Sequence, residues 1–173
     1  MNRSLPSVVL VGTDHRYQEG CADFPEVAHQ AFDAFVRRCI HEHGVAAIAE
    51  EHSLDALAGK GLYRTVLESM AQEVSLAHRY CDPSIEQSRS MGILQANQIR
   101  FKGWPSSRPS EEEVASELAG YNRRREEWWL QELETFNAWP CLFVCGSDHT
   151  YSFEALLRKS GWNVHVAAAN WSA

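Results

Sequence analysis

The sequence predicts a single α/β domain with a predominantly parallel sheet flanked by helices. Three observations carry this expectation. Short, continuous apolar runs occur near residues 7, 45 and 141, segments of helical periodicity separate them, and a glycine or an acidic pair closes each run. An apolar run of that length bounded by polar residues suits a strand buried on both faces. Strands that alternate with helices need crossovers, and crossovers return each strand parallel to the last. A chain of 173 residues has room for one core rather than two, so the domain is expected to span 1–173.

Residues 7–11 form the first run, and Gly12 is expected to turn the chain there. Asp23 and Glu26 have capping-box spacing; beyond Pro25, the positions Ala28, Phe32, Phe35, Val36, Cys39 and Ile40 recur on one helical face until Gly44. Residues 45–49 make a second buried strand that delivers Glu50, Glu51 and His52 to its carboxyl end. Leu62, Val66 and Met70 indicate a helix, and residues 74–80 a weaker strand ending at Cys81-Asp82-Pro83.

Residues 84–110 are polar and interrupted by Gly92, Gly103, Pro105 and Pro109, which reads as an excursion or a flap over a site. Trp104, within it, is the tryptophan best placed for exposed recognition. Ser110 then caps a helix whose positive start suits Glu111, Glu112 and Glu113, with Val114, Leu118, Tyr121, Trp129 and Phe136 at helical spacing. Pro140 breaks that helix. Residues 141–145 form the next strand, halted by Gly146; a helix containing Phe153, Leu156 and Leu157 ends near Gly161, and residues 162–168 complete the sheet.

Composition narrows the function classes. Hydrophobic residues at 45% and charged residues at 23% match a soluble globular protein rather than a disordered tail or a coiled-coil rod. The net charge of −7 argues against broad attraction to nucleic acid or an anionic membrane, so neither is an expected partner. The chain shows neither a bilayer-spanning apolar run nor a signal-peptide core, which reads as a cytoplasmic protein. Cys21, Cys39, Cys81, Cys141 and Cys145 make no CxxC pair and are expected to be reduced, the last two as small buried hydrophobes. Phosphate-loop, nicotinamide and zinc-finger patterns are absent.

The sharpest feature is a repeated element. Gly12-Thr13-Asp14-His15 follows the first strand and Gly146-Ser147-Asp148-His149 a later one. Open α/β sheets collect ligands at strand carboxyl ends, so adjacent strands would bring His15 and His149 across one crevice. Glu50 or Glu51 adds a carboxylate from a third strand end; neighbours on an extended segment point to opposite faces, so one is expected inward. Two imidazoles and a carboxylate suit a divalent ion (Mn, Zn or Co) that would acidify bound water, with His15, Glu50, Glu51 and His149 as candidate ligands. The same side chains also suit metal-free general acid–base hydrolysis. Asp14, His52, Asp82 and Asp148 are candidate supports behind these groups. Arg125 falls on the apolar stripe of the long helix, where it would meet a substrate carboxylate, an oxyanion or a buried acid.

These elements resemble the TraB/Tiki and erythromycin-esterase/ChaN-like superfamily, over nearly the whole chain but through short motifs. The resemblance maps Gly12 with His15, Glu50 or Glu51, Arg125, and Gly146 with His149 onto the two GxxH motifs, strand-end glutamate and helix arginine of that group. Within Arg125-Glu126-Glu127-Trp128-Trp129, Glu126 replaces the usual smaller Asn or Asp. The resemblance implies metal-dependent peptidase, esterase or haem-associated chemistry at a shared site. The expectation is a hydrolase of an ester or amide bond acting on a small-molecule or peptide substrate, compatible with a homo-oligomer. The alternative is a non-catalytic protein that binds or senses a ligand, haem included, in the same pocket.

Overall fold

The computed structural model describes residues 5–102 and 107–173. Residues 103–106 of the 84–110 excursion, Trp104 included, lie outside the described residues. Five strands, β1 (Ser7–Thr13), β2 (Ala47–Glu50), β3 (Ala77–Tyr80), β4 (Cys141–Gly146) and β5 (Asn163–Trp171), form one parallel sheet in the order β3-β2-β4-β1-β5. The described helices are α1 (His15–Glu19), α2 (Glu26–His43), α3 (Leu54–Gly59), α4 (Val66–Glu73), α5 (Ile85–Ser90), α6 (Ala96–Arg100), α7 (Glu111–Phe136) and α8 (Thr150–Lys159). The α/β class and the parallel sheet are therefore as expected.

Strand periodicity divides the core in two. Val9, Val11, Ile48, Leu142 and Val144 face α2 and α4, where Phe32, Val36, Leu67 and Met70 cover them. Val8, Leu10, Ala49, Phe143 and Cys145 face α7 and α8 and meet Trp129, Leu133, Phe153 and Leu157. The strands read as continuous apolar runs because helices cover both faces. The connection leaving β1 runs through α2 and the connection leaving β4 through α8, on opposite faces of adjacent strands. Such a switch point opens a crevice at the strands' carboxyl ends.

Several boundaries depart from the sequence reading, each for a local reason. The strand does not turn at Gly12 but continues to Thr13, with Gly12 opposite Cys145. A Cβ at Gly12 would lie 2.0 Å from Thr150 Oγ1 and 2.2 Å from the Ala169 carbonyl oxygen, so this glycine admits close packing of α8 and β5. Asp23 does not cap α2: Pro25 is the cap residue and its carbonyl accepts from the Ala28 amide at 2.9 Å. The third strand is shorter than expected because Val74 closes α4 and Ser75, at φ 57°, turns the chain before Ala77. The excursion carries α5 and α6, each started by a capping box, Ser84 with Gln87 and Gln95 with Gln98. The last strand runs on to Trp171, which packs against Phe32 and Tyr17.

The Gly12→Ala substitution is expected to destabilise the protein by about 3 kcal/mol through overpacking against backbone. Urea unfolding of the variant beside wild type measures this, and equal midpoints would contradict the packing role.

Candidate active site

Both GxxH elements reach the switch point. β1 and β4 pair directly, Thr13 opposite Gly146, so the residues that follow them emerge side by side. Asp14 caps α1 by accepting from the Arg16 amide at 2.9 Å, which turns His15 into the first helical position. Ser147–His149 form a single 3₁₀ turn that leads into α8 and buries His149. From β2 the two glutamates diverge as strand geometry requires. Glu50 follows Ile48 onto the α2/α4 face, and Glu51 follows Ala49 toward α7.

Glu51 is the shared centre. Its Oε1 accepts from Arg125 Nη2 at 2.6 Å and its Oε2 from the Gly146 amide at 2.8 Å. His15 Nε2 lies 3.6 Å from Oε2, and His149 Nε2 lies 3.5 Å from Oε1. These separations exceed a direct N–H···O bond. Gly146 has a steric role as well: a Cβ there would come within 2.9 Å of His15 Nε2 and 3.4 Å of Glu51 Oε2.

Each imidazole is held from behind at Nδ1. His149 Nδ1–H donates to Glu126 Oε1 at 2.8 Å, and Ser152 Oγ donates to the same oxygen at 2.6 Å. His15 Nδ1–H donates to Gln18 Oε1 at 2.9 Å. Trp129 packs edge-on against the His149 ring, centroids 4.8 Å apart, and its Nε1 donates to Asp82 Oδ1 at 3.0 Å. Asp82 also accepts from Arg125 Nε and Nη2, at 3.0 and 2.8 Å.

Electrostatics follow from this crowding. Burial raises the Glu51 carboxyl's affinity for a proton, but Arg125, His15 and His149 together outweigh it and hold the group well below the usual carboxylate range. Burial opposes charge on His15, yet the nearby Glu51 carboxylate, aided by the bond to Gln18, raises its pKa above the ordinary 6.5. Asp82 is pushed up by burial, against the pull of Arg125 and with the repulsion of Glu51. Burial pushes the thiols of Cys141 and Cys145 up, leaving them inert packing groups.

A cavity of about 700 Å³ opens above these groups. His15, Glu51, Arg125 and His149 all line it, as do Asp82 and the rim residues Asp14 and Asp148. Asp14 is committed to its cap and to a salt bridge with Arg16, and Asp148 is exposed at the mouth; neither supports a histidine. His52 is buried behind His15, ring centroids 5.3 Å apart, with its Nε2 unpartnered and 3.9 Å from Glu19 Oε1. Glu50 is fully buried outside the cavity, bonded to Gln18, Thr65 and His78, and so cannot ligate anything in it. The acidic pair thus resolves into Glu51 in the cavity and Glu50 behind it.

The donors do not fit a divalent ion as they stand. Among the described residues no group of three or more His, Cys, Asp or Glu side chains is arranged to hold a metal. Glu51 directs one oxygen at a guanidinium and the other at a backbone amide, so a metal held there would sit beside a cation that repels it. The expected oxyanion role of Arg125 meets a similar obstacle, because two carboxylates already share its charge.

Sequence reasoning missed Glu126, Gln18 and Ser152. Glu126 was legible: with Trp129 and Leu133 it occupies the buried stripe of α7 at spacings of three and four, the same criterion that singled out Arg125. Gln18 lies three residues after His15 in a helix of five residues, too short to display a period.

No family model, curated protein or solved structure matches the chain. Among the described residues no helix is long and apolar enough to cross a membrane.

Replacing Arg125 by Met is expected to cost about 3 kcal/mol at neutral pH, because it leaves Glu51 and Asp82 buried without their cation. The sign of the pH dependence is specific. The depressed Glu51 group stabilises the wild type above the ordinary carboxylate value of 4.5 and loses that contribution as pH falls through its folded-state value. The gap between wild type and variant therefore narrows in acid, which denaturant unfolding at pH 7 and pH 4 measures; a gap independent of pH would contradict it.

Proposed function

We propose that the protein hydrolyses an ester or amide bond of a small-molecule or peptide substrate by acid–base catalysis between two histidines. The observation that carries this reading is the pair of imidazole Nε2 atoms facing opposite oxygens of one buried carboxylate on the wall of a roomy cavity. Of the residues that carry the resemblance to the TraB/Tiki and erythromycin-esterase/ChaN-like group, His15, Glu51, Arg125, Gly146 and His149 line it, which supports the same reading.

The two histidines divide the work according to what stands behind them. With Nδ1–H committed to Glu126, His149 directs Nε2 at the cavity and acts as the general base. His15, favoured as a cation by Glu51, acts as the general acid. Water oxygen bonds to the carbonyl carbon as His149 removes its proton, and the carbonyl π pair moves to oxygen. Collapse of the tetrahedral adduct breaks the bond to the leaving group, which takes the Nε2 proton of His15. The products are a carboxylic acid and an alcohol or amine; proton exchange with water resets both rings.

Glu51 is too weakly basic to take the water's proton itself, because its cationic neighbours hold it ionised. Its charge acts instead on the imidazolium that forms at His149 as the water is deprotonated, an interaction stronger in the transition state than in the ground state. Arg125 holds Glu51 in that position, with Asp82 and Trp129 fixing the guanidinium and indole beneath it.

A panel of esters and amides, assayed with protein purified without an immobilised-metal tag, tests the reading. His15→Ala and His149→Ala are each expected to lower turnover by about 100-fold or more while the fold persists. The rate is expected to fall as pH rises through a value above 6.5, where His15 loses its proton. Turnover is expected to survive chelation; strict dependence on an added divalent ion would replace this scheme with a metal-bound water. Full turnover in both folded alanine variants would end the proposal.

A further inference from the structure

Glu50 is fully buried and absent from the scheme above, yet a continuous chain of hydrogen bonds connects it to His15. We propose that Glu50 is a positioning residue: acting through Gln18, it fixes neutral His15 as the Nδ1–H tautomer and so keeps Nε2 as the atom that exchanges protons in the cavity. The consequence for turnover rests on the hydrolase reading; the tautomer assignment does not.

The argument runs through donors and acceptors. Glu50 Oε1 accepts from the Thr65 hydroxyl and from His78 Nε2–H, the latter at 2.8 Å, and Oε2 accepts from Gln18 Nε2 at 2.9 Å. The Thr65 oxygen is itself the acceptor for the Glu68 amide at 3.1 Å, so its hydrogen is free for Glu50. A carboxylate engaged in this way has no hydrogen to give. Gln18 must therefore turn its NH₂ toward Glu50 and its carbonyl toward His15. That carbonyl only accepts, so the His15 Nδ1 atom, 2.9 Å away, must carry hydrogen. Neutral imidazole has one N–H, and the other nitrogen, Nε2, faces Glu51 Oε2. The adjacent glutamates thus act on one ring from opposite sides, Glu51 at Nε2 and Glu50 at Nδ1 through the amide.

Exchanging an oxygen for NH₂ at position 50 should reverse the relay without changing its shape. In Glu50→Gln the new carboxamide must keep its oxygen on Thr65 and His78, which both donate, and so turns its NH₂ toward Gln18. Gln18 then flips and offers NH₂ to His15 Nδ1, which must accept, and the ring changes to the Nε2–H tautomer.

Long-range ¹H–¹⁵N correlation spectra of the full chain labelled at histidine, recorded above the imidazole titration, read the tautomer directly. Wild type is expected to show His15 as Nδ1–H and Glu50→Gln as Nε2–H. The swapped pair, Gln18→Glu with Glu50→Gln, is expected to restore Nδ1–H, because a carboxylate then accepts from both neighbours. With the preferred ester or amide, Glu50→Gln is expected to lower kcat about 100-fold, and the swapped pair to recover most of it. If Glu50→Gln does not fold, Gln18→Met removes the acceptor and is expected to shift the ring toward Nε2–H. Retention of the Nδ1–H form in folded Glu50→Gln, or in Gln18→Met, overturns the proposal. The expected tautomer changes in a protein that hydrolyses nothing would support this inference and defeat the hydrolase reading.

Discussion

One buried anion organises the centre of this molecule. Glu51 has almost no access to water, and a carboxylate removed from water is tolerated only where other charges and donors replace its hydration. Here the replacement is complete: a guanidinium on one oxygen, a backbone amide on the other, and two imidazoles within 3.6 Å. Three separate segments supply these partners, so the position of each depends on the others. The end of β4, the turns after β1 and β4, and the middle of α7 meet because they converge on the same carboxylate.

The surrounding groups form a graded set of supports. Arg125 is shared between Glu51 and Asp82, and Asp82 is tied to the Trp129 indole. Trp129 in turn packs against His149 and against Phe143 and Phe153 in the core. The site therefore rests directly on the hydrophobic layer under the sheet. On the other face, Glu50 draws Thr65, His78 and Gln18 into a second polar cluster, which Gln18 joins to His15. Buried polar clusters of this kind specify one arrangement when every member has a partner.

Much of this was legible in the sequence. The apolar runs located β1, β2 and β4, the alternation of elements placed β3 and β5 near their positions, and the repeated Gly-x-Asp-His element located the two turns that carry the histidines. The acidic pair at the end of β2 could be narrowed by alternation to one residue facing the cavity, though which one required the register of the sheet. What escaped were features that depend on distant contacts. Gly12 reads as a turn glycine, but α8 and β5 crowd it, and neither is visible from its neighbours in sequence. Asp14 and Asp148 occupy equivalent places in the repeat yet diverge, because only the first finds a helix amide and an arginine. The metal expectation rested on residue types alone, whereas the lone pairs of Glu51 are already directed at Arg125 and Gly146.

The far side of the cavity is built differently from its floor. Its walls include Ile85 and Arg89 of α5, Ile93, Leu94 and Gln98, all within the excursion between β3 and α7. The described part of that excursion sends Ile99 into the protein as a fully buried anchor, while Ile85 and Phe101 stay at the surface. The histidine-bearing floor and this wall are consequently carried by separable stretches of chain. On the hydrolase reading proposed above, substitutions along the two short helices would reshape the space available to a guest molecule while leaving the paired imidazoles and their carboxylate in place.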